Sequence, residues 1–205
     1  MKESAYLQKI YAVGAKIYEP VIDKLFSFDR QGVINELLEP HGEQKVLEIG
    51  VGTGLNLPFY PKKTQIHGVD FTAHMLKKVK QEDKHKNVFL YRTDAGELPF
   101  QDNSFDAALT TYVIRVAPNP VAILREVSRC VKKDGLFVLY DQFSHGNKKI
   151  DRFEHFFKVP LGWGRNYVVE DLIEQTPWTI VKNIKMGGRI SRLFNNRLLV
   201  LQNKG

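Results

Sequence analysis

The run Glu48-Ile49-Gly50-Val51-Gly52-Thr53-Gly54 joins a carboxylate to three alternating glycines. Glycine has no Cβ and tolerates positive φ, so such a loop lets bare backbone approach a ligand closely. A carboxylate just ahead of the loop is out of place beside a pyrophosphate, because like charges in a partly buried site repel. It suits a cationic small molecule. A dinucleotide fingerprint G-x-G-x-x-G built on Gly50 and Gly52 would require glycine at position 55, which is Leu55. Glycines with a downstream acid would by themselves also suit NAD; the spacing argues against it.

Three more strand ends carry polar residues of the right kind. Asp70 lies twenty residues past Gly50 and can accept hydrogen bonds from ribose hydroxyls. Asp94 can accept from an adenine amino group, and Thr110-Thr111-Tyr112 falls beside the expected reacting centre. Any one acid could merely cap a helix or turn. Together they describe a nucleoside site with a cationic tail, which S-adenosylmethionine, with its ammonium and sulfonium groups, would fill.

These residues need a scaffold that brings strand ends together. Lys45–Ile49, Gln65–Val69, Asn87–Tyr91, Ser104–Thr110 and Gly135–Tyr140 are predicted strands, near-continuously apolar as in a parallel sheet covered on both faces. Thr72–Asp83 and Pro120–Val131 are predicted helices between them. Trp178–Met186 and Arg197–Gln202 add two strands joined without a helix, so one should run antiparallel. The expectation is a doubly wound α/β fold with a mostly parallel seven-stranded sheet, whose ligand lies beyond the carboxyl ends of the strands. Residues 4–38 have helical periodicity, broken or restarted at Pro20, with Tyr6, Leu7, Ile10 and Tyr11 on one face and Lys2, Lys9 and Lys16 opposite. A single domain over 1–205 is expected, divided into a helical lid at 1–38, a cofactor-binding core at 39–142, and a helical insertion with a C-terminal hairpin at 143–205.

The 205 residues suffice for one such domain with a sizeable core. Cys130 is the single cysteine, so no internal disulfide forms, which fits a reducing, cytoplasmic setting. No apolar signal-peptide core and no run of about 20 apolar residues is present, so the expectation is a soluble or at most peripheral protein. No metal-ligand set is expected. The net charge is +7, and residues 175–205 carry Lys182, Lys185, Arg189, Arg192, Arg197 and Lys204 without one acid. This is either a solvated basic face or a surface for an anionic partner.

The glycine loop resembles the first motif, E/D-x-G-x-G-x-G, of class I S-adenosylmethionine-dependent methyltransferases. Residues 94–106, from Asp94-Ala95 through Leu98-Pro99-Phe100 to Ser104-Phe105-Asp106, resemble a run of the type 11, ubiquinone/menaquinone-methyltransferase-like branch. Residues 124–135, beginning Leu124-Arg125-Glu126 and including Arg129, are similar to another, apart from Lys133-Asp134 where proline and glycine are usual. The resemblance implies that Glu48 holds the methionine ammonium while Gly50, Gly52 and Gly54 let the backbone pass the cofactor. It implies that Asp70 binds the ribose, Phe71 and Met75 pack near the adenine, and Asp94 and Ala95 read the adenine edge. Thr111 and Tyr112 would border the methionine end and the substrate entrance.

The flanks resemble bacterial phospholipid N-methyltransferases, which act on phosphatidylethanolamine. The similar parts are the amphipathic N-terminus, Leu55-Asn56-Leu57-Pro58-Phe59-Tyr60-Pro61 and the stretch from Tyr112 to Pro120. Tyr140-Asp141-Gln142-Phe143 departs from the expected Asn-His-Phe type of sequence. Tyr11 and Tyr18 are candidate lid residues, with Tyr18, Asp141 and His145 as candidate catalytic groups. Arg152, Arg165, Arg189 and Arg192 could bind a phosphate. The amphipathic N-terminal helix could lie on an anionic membrane. A quinone or other small-molecule acceptor remains open, as does a non-catalytic cofactor-binding scaffold. Nucleic acid is disfavoured, because Thr110-Thr111-Tyr112-Val113 is not the Asn/Asp-Pro-Pro-Tyr used on planar amino groups.

Overall fold

A strand covered on both faces must be apolar on both, and β1 (Lys45–Ile49) is: every residue after Lys45 is buried, Glu48 included. It is an interior strand, third from one edge of a seven-stranded sheet. The computed structural model describes residues 29–38, 44–80, 87–158, 164–186 and 195–205. Parallel to β1 run β2 (Gln65–Asp70) on one side and β4 (Phe105–Thr111) on the other. Beyond them lie β3 (Val88–Arg92) and β5 (Val131–Gln142), also parallel to their neighbours. The sheet closes with β7 (Asn196–Asn203), antiparallel to both β5 and the edge strand β6 (Trp178–Lys185). The order is therefore β3-β2-β1-β4-β5-β7-β6. It reverses direction between β1 and β4, which is where an open α/β sheet leaves its crevice.

The helices follow from their caps and stripes. Asp29 accepts a hydrogen bond from the Gly32 amide (2.9 Å) and so starts α1 (Arg30–Leu38), whose Val33, Ile34 and Leu37 are buried. Asn119 does the same through the Ala122 amide for α3 (Pro120–Cys130), with Pro120 preset for a first turn. The faces of the sheet carry separate cores. Val33, Ile34 and Leu37 of α1 pack with Val46, Ile66, Leu109, Val138, Tyr140 and Val200. Ile123, Leu124 and Val127 of α3 join Leu172 and Ile173 of α5 (Val169–Ile173), Phe105, Phe137 and Trp178 on the opposite face.

Two sequence runs that lie far apart in the chain meet here. Arg129 of α3 bonds Glu126 and Asp102 and donates to the Phe100 and Leu98 carbonyls, while Glu126 accepts the Leu98 amide. This lattice holds the loop after β3, the one that carries Asp94. Asp106 accepts the Lys45 amide (2.7 Å) and pairs with Lys132, stitching the amino-terminal side of the sheet.

Some boundaries move. The helix expected over Thr72–Asp83 is described as α2 (Ala73–Lys78) only; Val79 turns out of helical geometry and is buried beside Gly54, so a core position ends the helix. β5 begins at Val131, before the expected Gly135, because the chain turns tightly at Asp134 (φ 62°) without leaving the sheet. β3 is an edge strand with Phe89 38% exposed, so its faces are not both covered. Helix α4 (Lys148–Lys158) occupies the expected insertion. Most of the N-terminal lid falls outside the described residues, which begin at Asp29.

Candidate functional site

Alternation along β1 puts Glu48 on the α1 face, at the carboxyl end of this interior strand. It is 1% exposed. Oε1 accepts from Asn56 Nδ2 at 2.8 Å; Oε2 completes no hydrogen bond, nor does the buried Tyr60 hydroxyl beside it. Burial pushes the Glu48 carboxyl up to about 7, against the opposing pull of Asn56, Tyr60 and the Arg30 charge. Asn56 is the hub of this corner: it accepts from Arg30 at 2.6 Å and donates also to Thr111 Oγ1 at 3.3 Å. Arg30 thereby ties the start of α1 to the loop. Neither Asn56 nor Arg30 was singled out by motif reasoning. Asn56 lies in the Leu55-to-Pro61 run, where a polar residue between two leucines was the available signal.

Gly50, Gly52 and Gly54 all have positive φ (69°, 56° and 86°), the region an L side chain disfavours. Their surroundings differ. A Cβ on Gly50 would lie 2.2 Å from Val113, and one on Gly54 2.8 Å from Leu57. On Gly52 it would meet nothing nearer than 3.9 Å. Gly50 and Gly54 are crowded by packing, whereas Gly52 would meet only the Gly50 carbonyl at ordinary contact distance, leaving backbone where it could meet a ligand.

Asp70 ends β2 with both oxygens engaged: Oδ2 accepts the Gly52 amide (3.1 Å) and Oδ1 the Thr72 amide (2.7 Å). Burial raises its pKa, while these two amides pull the other way. Asp70 thus fixes the glycine loop and the entry to α2, and each oxygen keeps a lone pair for a hydroxyl donor. Phe71, 37% exposed, and half-buried Met75 follow it. Asp94 is exposed and turns its Oδ1 onto the Gly96 amide (2.8 Å), beside half-buried Ala95. Each of these aspartates therefore shapes its own loop.

At the end of β4, Tyr112 adopts φ 59°, an unusual conformation for a bulky residue. Its amide donates to the Tyr140 carbonyl (2.9 Å), its ring meets that of Tyr140 edge-on at 5.2 Å, and the Arg115 guanidinium lies 4.9 Å from its centroid. Burial raises both phenol pKa values. Asp141 is fully buried: it accepts the Arg115 and Gln142 amides and faces the Arg115 side chain at 3.5 Å. Expected as a base or substrate contact, it stands instead as the anchor of the loop after β4. His145 meets Glu154 of α4 at 3.2 Å and gives its amide to Asp151. It fastens α4 to the domain. Arg152 and Arg165 are exposed. Tyr11, Tyr18, Arg189 and Arg192 lie outside the described residues. His67 is a packed strand residue stacked on Phe89 and Tyr91, and burial lowers its pKa to about 4.

Residues 47–139 match the family model described as Methyltransferase domain, type 11. A phosphatidylethanolamine N-methyltransferase of Cereibacter sphaeroides is 31% identical over 152 residues, covering 65% of this chain and 73% of that protein. A demethylmenaquinone methyltransferase of Corynebacterium kroppenstedtii is 37% identical over 99 residues, covering 48% of this chain and 42% of its own length. Among solved structures, the YcgJ protein of Bacillus subtilis superposes with a TM-score of 0.70 at 20% identity, over 86% of this chain and 98% of that one. Fold and kinship define the class as Rossmann-like methyltransferases. The chain belongs to the type 11 methyltransferase-domain family and is an S-adenosylmethionine-dependent methyltransferase. The residues present fit that cofactor: a buried carboxylate oxygen with only the Tyr60 hydroxyl beside it answers an ammonium, and Gly52 is the least crowded glycine of the loop. Among the described residues no helix is long and apolar enough to cross a membrane.

Proposed function

We propose that this enzyme N-methylates a phospholipid headgroup such as that of phosphatidylethanolamine, at a site whose donor half is the glycine loop with Glu48, Asp70 and Asp94. When bound, S-adenosylmethionine would supply an electrophilic methyl carbon, to which a nucleophile's lone pair bonds as the carbon–sulfur bond breaks and its electron pair leaves with a neutral thioether. Glu48 Oε2 holds the ammonium of the donor, and Asp70 accepts from the ribose hydroxyls. Phe71 and Met75 flank the adenine, whose edge Asp94 and Ala95 contact. Gly50 and Gly54 keep the loop tight, and Gly52 keeps its outer side open. Thr111, fixed through Asn56, and Tyr112 border the methionine end. The catalytic contribution of the chain is alignment and exclusion of water, effects together worth about 7–11 kcal/mol when geometry is good.

The observation that carries the lipid reading is helix α4, which is docked by its polar face. Asp151 and Glu154 bond inward to Ser144 and His145, while Ile150, Phe153 and Phe156 are 44%, 68% and 73% exposed. Ordinary surface helices do the reverse. Exposed Lys148, Lys149 and Arg152 accompany this apolar face, the composition of a helix seated at an anionic membrane interface. Similarity to the phosphatidylethanolamine N-methyltransferase supports the same acceptor. Ring C-methylation of a quinone is the second reading, favoured by the demethylmenaquinone methyltransferase relative.

Radiolabelled S-adenosylmethionine, incubated with the protein and vesicles holding phosphatidylethanolamine and a demethylated quinone, separates the two. Label is expected in the lipid amine. Label confined to the quinone would overturn the proposal. Vesicle binding should weaken with salt and with Phe153→Ser/Phe156→Ser, leaving folding intact because both side chains are largely exposed.

A further inference from the structure

Polar side chains rarely stay buried without partners, and here two such residues face each other across one strand pair. Among the described residues, Gln142 and Asn196 are 3% and 1% exposed, yet Gln142 Oε1 and Asn196 Oδ1 accept no hydrogen bond. The two residues are direct partners across the antiparallel β5–β7 pair. Opposed residues of such a pair project to the same side, with Cβ atoms about 4.5–5.5 Å apart. That side is the α1 face: Tyr140 and Val138 precede Gln142 at alternate positions, Leu198 and Val200 follow Asn196, and all four belong to the core containing α1. Glu48 and Thr111 occupy the same face by the same alternation. A row of polar groups thus lies on this face at the carboxyl ends of β1, β4 and β5 and the amino end of the antiparallel β7; Gln142 stands two strands over from Glu48 and four residues beyond its level, about 16 Å away.

We infer that Gln142 and Asn196 form the acceptor-amine subsite, their two amide oxygens receiving N–H groups of the substrate headgroup. The inference rests on the amine reading above and adds the residues that select it. A neutral primary amine has two N–H bonds and one lone pair. Two carbonyl oxygens can take both hydrogens and leave the lone pair uncommitted for attack. An amide pair carries no charge, and a desolvated site favours the neutral amine over the ammonium, so the incoming headgroup leaves its proton in water. After transfer the alkylammonium product returns one proton to water. A quaternary ammonium has no N–H and cannot bond either oxygen. Asn196 is itself positioned by its Nδ2, which donates to the Tyr140 hydroxyl at 3.2 Å, and Tyr140 packs on Tyr112. The subsite is thereby coupled to the strained residue at the end of β4.

The test compares wild type with Gln142→Met, Gln142→Glu and Asn196→Leu on phosphatidylethanolamine in mixed micelles, with S-adenosylhomocysteine affinity measured alongside. Gln142→Met and Asn196→Leu should raise KM for the lipid by about tenfold, the loss of one hydrogen bond in a desolvated site, with S-adenosylhomocysteine affinity unchanged within about twofold. Gln142→Glu keeps an acceptor oxygen in the same place, so KM should stay within about threefold of wild type, while its negative charge favours the ammonium and should lower kcat. Wild-type KM and kcat in Gln142→Met, or an equal rise of KM in Gln142→Met and Gln142→Glu, would overturn the subsite. A wild-type enzyme that labels no amine would instead overturn the amine reading, and the subsite falls with it.

Discussion

Glu48 should release a proton when the cofactor binds. Its carboxyl, raised to about 7 by burial, is largely protonated in the free protein under mildly acidic conditions. An ammonium brought against Oε2 favours the charged carboxylate and draws the pKa back towards its ordinary value of 4.5. At about pH 6 the free group holds about 0.9 proton and the bound group almost none, so binding should expel about 0.9 proton; at about pH 7 the figure is about 0.5. The lower pH is the cleaner condition, since the donor's α-amino group is then fully protonated. Titration calorimetry with S-adenosylhomocysteine, which carries the same amino acid tail, in two buffers of different ionisation enthalpy reads the number directly. Glu48→Gln should abolish the buffer dependence and weaken binding roughly 10- to 150-fold, the range for a hydrogen bond to a charged group. An unchanged heat difference between buffers in that variant would refute the assignment of Glu48 to the ammonium. The same pKa has a stability consequence of opposite sense to the usual carboxylate. The folded state holds the proton more tightly than the unfolded one, so this contribution is fully present below about pH 4.5 and is lost as pH rises through about 7, to a total on the order of 3 kcal/mol. Denaturant titrations of the cofactor-free protein across that window should show the decline, and Glu48→Gln should flatten it.

Two further outcomes test the site's supports. Arg115→Met leaves Asp141 charged and buried without its counter-ion and should destabilise the fold by about 3–5 kcal/mol in urea titration; a loss under about 1 kcal/mol would contradict the anchoring role. Gly52→Ala makes only an ordinary contact, 3.9 Å from the Gly50 carbonyl oxygen, but must keep φ 56°, so stability should fall by about 1 kcal/mol while S-adenosylhomocysteine affinity falls much further. Equal proportional losses in the two measurements would make Gly52 a folding residue only.

Much of the scaffold was legible because it depends on local patterns. Apart from the early start of β5, the apolar runs of strand length, the start of α3 at Pro120 and the closing strands lie close to where periodicity puts them. The shorter α2 was not legible, because burial of Val79 beside Gly54 is a long-range packing event that overrides helical periodicity. Asp141 and His145 illustrate the same limit within the site. Their residue types suit proton transfer, but burial against Arg115 and contact with Glu154 depend on segments that are distant in sequence or on a helix whose orientation local pattern leaves open.

What the sequence by itself determined is the pattern on which the donor half is proposed: an acid at a strand end, a loop of glycines suited to positive φ, and further acids at the next strand ends, all within reach of local stereochemistry. The difference among the glycines was decided in three dimensions, by Val113 crowding Gly50 while Gly52 meets only the Gly50 carbonyl at 3.9 Å. So was the meeting of Gln142 with Asn196, which are 54 positions apart and become neighbours only because β7 enters the sheet antiparallel to β5. Local spacing can specify a loop, but which unpartnered atoms share a face is a property of strand order and register.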